Sequence, residues 1–103
     1  MQLYELTIHE LGGVLRRGEA SHLDVVESYA GRIEALNPEV AAYITLTLED
    51  ARARAKALDE GGGNRENRSP LYGVPMAIKD ALCTRHIRTT CGSKILGNFR
   101  PPY

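Results

Sequence analysis

The side chains with most chemical promise in this sequence stand at one junction. An almost unbroken apolar run, Leu71-Tyr72-Gly73-Val74-Pro75-Met76-Ala77-Ile78, ends abruptly in Lys79-Asp80. Burial at the end of an apolar strand disfavours an ammonium, which would leave the Lys79 amine able to accept a proton. The same pair also reads as a solvated charge at a strand end, with Lys79 balanced by Asp80, and the residues by themselves leave both readings open. Ser93 offers a hydroxyl, yet Ser93-Lys94-Ile95-Leu96 has the form of one helical turn with Ser93 as its N-cap. His9, His22 and His86 are too scattered for a metal site. Cys83 and Cys91 match neither a zinc knuckle nor a redox pair, and read as buried or half-buried free thiols in a reducing compartment.

The elements that must position these groups announce themselves upstream. Thr7-Ile8-His9-Glu10 is a capping box, in which the threonine hydroxyl and the glutamate carboxylate each satisfy a free backbone N–H. Ile8, Leu11, Val14 and Leu15 then share one helical face, and Gly18 supplies the stop. Ser21-His22-Leu23-Asp24 opens a second helix with the stripe Val26, Tyr29, Ala30, Ile33 and Leu36, expected to end at Asn37-Pro38. Thr47-Leu48-Glu49-Asp50 opens a third, alanine-rich helix running to Gly61, Gly62 and Gly63. Tyr43-Ile44-Thr45-Leu46-Thr47 alternates with β-branched residues and predicts a strand. Residues 61–70 read as a polar, glycine-rich loop. The run at 71–78 predicts a strand buried on both faces, with Pro75 near its start or on an edge, and 87–90 predicts a short one. Three helices with two or three strands point to an α/β layer architecture. A strand buried on both faces needs neighbours, and two or three strands are a thin sheet.

At 103 residues the chain is at most one small domain. It is 43% hydrophobic and 25% charged, with no apolar run long enough to span a bilayer. The start, Met1-Gln2-Leu3-Tyr4-Glu5, lacks the basic and apolar regions of a signal peptide, which predicts a cytoplasmic protein. The formal net charge of +0 hides a lopsided distribution: nine acids and three bases in residues 1–50, four acids and ten bases in 51–103. Arg52, Arg54, Lys56, Arg65 and Arg68 make a basic stretch that could meet a phosphate or an acidic partner. It lacks interleaved aromatics, so a solvated helix face and loop is the plainer reading.

Taken together, these motifs carry a resemblance. The segment at 71–80 resembles the Gly-(Val/Ile)-Pro-x-x-(Ile/Val)-Lys-Asp stretch of the amidase-signature family. Arg88-Thr89-Thr90-Cys91-Gly92-Ser93-Lys94-Ile95-Leu96 and Phe99-Arg100-Pro101-Pro102-Tyr103 resemble the branch formed by A subunits of glutamine-dependent tRNA amidotransferases. Leu6-Thr7-Ile8-His9-Glu10-Leu11, Arg32-Ile33-Glu34 and Asn37-Pro38 agree in order, so the likeness covers the whole chain. His86 departs from it, standing where the pattern has glycine; it either strains that turn or occupies the left-handed region.

The resemblance implies an N-terminal portion, residues 1–103, of a single amidase domain of helices packed on a mixed β-sheet. It implies amide hydrolysis by a Ser–cis-Ser–Lys triad, with Lys79 as general base and Asp80 as a neighbour that orients this corner. No Gly-Ser-Ser-Gly run occurs in residues 1–103, so the sequence is expected to stop before the serine-rich segment and to be inactive alone. The implied reaction frees ammonia from glutamine to convert Glu-tRNA(Gln), or its aspartyl-tRNA(Asn) counterpart. The implied partners are B and C subunits and, through them, misacylated tRNA, with no membrane. No cofactor is expected in this chain, ATP and Mg being used by the B subunit. Two other readings stand beside this one: an amidase-signature hydrolase of a small amide, and a non-catalytic module that binds a C-type subunit.

Overall fold

Three α-helices form where the sequence places its start signals: α1 (Ile8–Arg17), α2 (His22–Val40) and α3 (Leu48–Glu60). Single 3₁₀ turns occur at Leu3–Glu5 and Lys94–Leu96. The computed structural model describes residues 2–61 and 68–103. It divides into two compact units, Met1–Val40 with Thr47–Pro75, and Ala41–Leu46 with Met76–Tyr103.

In the first unit α1 begins on a complete capping box. The Thr7 hydroxyl accepts from the Glu10 amide at 3.3 Å, and the Glu10 carboxylate accepts from the Thr7 amide at 2.8 Å. Gly18, left-handed at φ 70°, ends the helix and donates to the Leu15 and Val14 carbonyls. Ser21 and Asp24 make the same reciprocal pair at the head of α2, at 2.8 and 3.0 Å. That helix does not end at Asn37-Pro38 but runs on to Val40. Proline's fixed φ is itself helical, and in a final turn it removes only one hydrogen bond. Left-handed Ala41, at φ 52°, follows the last helical residue. At α3 the expected capping box is not made: Thr47, at φ −123° and ψ 44°, gives no side-chain cap bond. Gly61 follows that helix in right-handed conformation, while Gly62 and Gly63 lie outside the described residues.

Leu11 and Leu15 of α1 and Val25 of α2 form the core, with Leu3, Leu6, Tyr29 and Val74 packed against it. Ile8 is exposed although its spacing put it on the α1 stripe, and Val25, outside the expected α2 stripe, is fully buried. α3 packs along α2, with Ala30 and Ala55 buried. Arg52 reaches from α3 to Glu27 at 2.7 Å and Glu34 at 3.7 Å on α2, and to Glu49 at 2.7 Å on its own helix. Glu27 and Glu49 raise the pKa of its guanidinium above the ordinary value. Arg52 is therefore committed to carboxylates rather than offered to a phosphate.

The second unit contains no strand. Among the described residues the expected strands at 43–47, 71–78 and 87–90 are absent, and the only pairing is an isolated antiparallel bridge between Thr84 and Ile87. The α/β expectation is corrected to a helical chain. The reason is physical: apolar composition raises strand propensity, but a strand exists only when a second backbone satisfies its N–H and C=O groups. Among the described residues no such backbone pairs with 71–78, so Leu71-Tyr72-Gly73 is a turn and the residues after it run on as irregular chain. Met76 (68% exposed), Ile78 (57%) and Leu82 (60%) face solvent.

Irregular does not mean unbonded. His86 donates its amide to the Pro101 carbonyl at 2.8 Å, and Thr89 donates to Phe99 at 3.0 Å. Arg88 donates to the Gly97 carbonyl and to the Thr45 hydroxyl. Thr89, Thr90 and Pro101 are the buried residues of this unit.

Candidate active site

Lys79 lies in irregular backbone and its side chain is exposed. The burial expected of it is not supplied by the described residues, for the same reason that the strand is absent. Nor does Asp80 balance it. The Asp80 carboxylate turns to the segment 90–92, accepting from the Thr90 amide at 2.9 Å, from the Thr90 hydroxyl, and from the Gly92 amide at 3.3 Å. Its carbonyl accepts from the Cys91 amide at 3.0 Å. The Thr90 hydroxyl and amide, helped by Gly92 and the charge of Arg88, hold its carboxyl below the usual range against a smaller opposing effect of burial.

What Asp80 fixes is a tight turn. The Ser93 amide bonds the Thr90 carbonyl at 2.9 Å, and Cys91 and Gly92 between them have φ of 53° and 70°. Two central residues with positive φ are the type I′ pattern. Lys79 begins a turn of its own, its carbonyl accepting from Leu82 at 2.9 Å. Asp80 thus ties the backbone next to Lys79 to the Thr-Thr-Cys-Gly-Ser stretch instead of pairing with the lysine.

Ser93 caps the turn at Lys94–Leu96, its hydroxyl accepting from the Ile95 amide at 3.2 Å. His86 takes the left-handed alternative, at φ 62°. Cys83 and Cys91 are free but exposed, which corrects the expectation of burial. His9 is exposed on α1. Among the described residues no three His, Cys, Asp or Glu side chains gather as a metal site, and no helix is long and apolar enough to cross a membrane. Of the basic stretch, Arg54 and Lys56 are exposed, Arg68 stacks 4.5 Å over the Tyr72 ring, and Arg65 lies outside the described residues.

A second constellation, in the first unit, escaped sequence reasoning. His22 is 5% exposed and its Nδ1 stands 2.8 Å from Oδ1 of Asp59, in the last turn of α3. A carboxylate only accepts, so Nδ1 carries the proton of this bond. The same carboxylate accepts the His22 amide at 2.8 Å and the Leu23 amide at 3.1 Å, satisfying donors at the head of α2. Burial pushes the Asp59 carboxyl up, but these hydrogen bonds outweigh it and the pKa falls below its ordinary value. The imidazole meets Tyr72 edge-on at 5.7 Å and lies against Gly73. One local signal existed: an acid in the last turn of a helix opposes the macrodipole, and α3 has no basic residue there.

With this geometry in view, the comparisons with known proteins identify the class. The amidase family model matches residues 24–103, and the chain belongs to that family. Over its whole length it is 48% identical to the A subunit of glutamyl-tRNA(Gln) amidotransferase from Desulforamulus reducens, of which it covers 21%. It is 51% identical, over 106 aligned residues, to the protein of the same name from Geobacter sulfurreducens, again covering 21% of it. The corresponding protein of Moorella thermoacetica is 47% identical over 103 residues. The chain therefore spans about one-fifth the length of the curated relatives it matches.

Proposed function

We propose that this chain supplies the lysine of a Ser–cis-Ser–Lys amidase centre that hydrolyses glutamine, within the A subunit of a tRNA-dependent amidotransferase. The observation that carries the reading is likeness along the whole chain, at 48% identity, to such an amidotransferase component, with Lys79-Asp80 inside the span matched by the family. In the proposed reaction a serine oxygen attacks the glutamine carboxamide carbon. Its proton passes through the second serine to Nζ of Lys79 and returns to the departing nitrogen, so that ammonia leaves and an acyl-enzyme remains. Water then releases glutamate. Asp80 takes no proton in this scheme; it holds the neighbouring turn at 90–92.

Neither serine is assigned among these 103 residues, so the reaction belongs to a polypeptide in which this sequence meets a serine-bearing segment. The ammonia would pass to a B subunit that uses ATP and Mg to activate the acyl group of misacylated tRNA. A C subunit would be a further partner, and the complex would work in the cytoplasm. The test is glutamine-dependent amidation of Glu-tRNA(Gln) by that polypeptide reconstituted with B and C subunits. Amidation that needs all three supports the reading. Hydrolysis of simple amides with no gain from the partners or from tRNA would favour the small-amide hydrolase instead.

A further inference from the structure

Thr90 is a polar residue in the interior of the second unit, 2% exposed. A hydroxyl is stable in such a place only with partners, and Thr90 has two. It donates to the Asp80 carboxylate and accepts from the Gly92 amide at 3.1 Å. The Thr90 amide donates to the same carboxylate at 2.9 Å. Thr90 is held from its other side as well: the Thr89 amide donates to the Phe99 carbonyl at 3.0 Å, and the Thr90 carbonyl accepts from the Ser93 amide at 2.9 Å. The Asp80 carbonyl accepts from the Cys91 amide at 3.0 Å. Residue 80 is thus fastened to 90–92 by its carboxylate and by its backbone.

Lys79 is one planar peptide away from that anchor, and its own carbonyl is engaged by the Leu82 amide at 2.9 Å. With both sides of this peptide bonded, the Cα that bears the Lys79 side chain has little freedom to shift. We infer that Thr90, acting through Asp80, is a positioning residue for Lys79. All of these groups belong to the second unit. The role rests on the reading of Lys79 as catalytic base, and Thr90 itself has no part in bond making. Without the hydroxyl, Asp80 loses a donor and Gly92 an acceptor, and the tie beside the lysine slackens. An amine that must meet a proton within hydrogen-bond reach is sensitive to displacements of about 1 Å, which cost up to about 100-fold in rate.

The experiment measures glutamine hydrolysis, per native molecule, by the polypeptide that unites this sequence with its serine-bearing segment. Thr90→Val, which keeps the shape and drops the hydroxyl, is expected to lower kcat about 10- to 100-fold with KM unchanged. Thr90→Ser, which keeps the hydroxyl, is expected to recover most of that loss. If Thr90→Val yields no native protein, Thr90→Ala takes its place in the same comparison. The substitution is then repeated in a Lys79→Ala background, where it is expected to lower the residual rate no further, because a residue that acts through the lysine has nothing left to position. An equal fall in both backgrounds would show a merely structural role and overturn the inference. Parent kcat in Thr90→Val, alongside an impaired Lys79→Ala, would overturn it too and spare the functional reading. Full activity in Lys79→Ala would overturn both.

Discussion

Gly73 is closed to a side chain by the His22 ring, and its left-handed backbone disfavours one independently. Placing alanine in a left-handed conformation costs about 1–2 kcal/mol before any clash is counted. Gly73→Ala is therefore expected to destabilise by more than that, and adding His22→Ala should return part of the loss by removing the clash. Urea unfolding of the single and double variants gives the coupling; strict additivity would contradict it. Asp59 makes a prediction in pH. Its folded pKa lies below the unfolded value, so its contribution is fully present above the unfolded pKa and is lost as pH falls through the folded one. Stability measured below about pH 4 should decline more steeply in the wild type than in Asp59→Asn. Equal slopes would show that this carboxylate is not stabilised by the head of α2. The His22–Asp59 pair was illegible in the sequence because 37 positions separate its members. Lys79 and Asp80 stand out as candidates in the sequence because they are adjacent and follow a conspicuous apolar run.

At the scale of elements, the helices were readable and the strands were not. Helix signals are local: the Thr7–Glu10 and Ser21–Asp24 boxes satisfy donors within the same turn, so sequence and structure have little room to disagree. Thr47 shows the limit of that logic, because the same residue type is present but its backbone dihedrals give no cap bond. Thr7→Ala should therefore cost about 1 kcal/mol, while Thr47→Ala should cost only a few tenths. Thermal unfolding of the two variants decides it; equal losses would contradict the difference in capping. The strand signals at 43–47 and 71–78 report what side chains prefer, whereas a strand depends on a partner elsewhere, and none pairs with them among the described residues. The irregular stretch at 76–103 was illegible for a further reason. Its order comes from Asp80, Arg88 and His86 bonding to distant backbone, which no periodicity announces.

For the whole molecule, the exposed apolar surface of the second unit is the dominant physical fact. Ile95 is 93% exposed and Tyr103 70%, in company with Met76 and Leu82. Surface of this kind binds apolar dyes and associates. The 103-residue polypeptide on its own is expected to bind such a dye strongly and to form concentration-dependent oligomers in sedimentation. A dye-silent monomer would show that this surface is covered in solution. The lopsided charge is less consequential than composition suggested, since the lead cation of the basic stretch, Arg52, is held by three glutamates. The central claim, that this chain brings the catalytic lysine to an amidase, is tested most directly by ammonia release from glutamine. The measurement compares Lys79 with Lys79→Ala in the polypeptide that also bears the serines. Loss of a positioned base predicts a fall in kcat of about 100- to 10,000-fold, without loss of folded protein. Turnover within a few-fold of the parent would contradict the account.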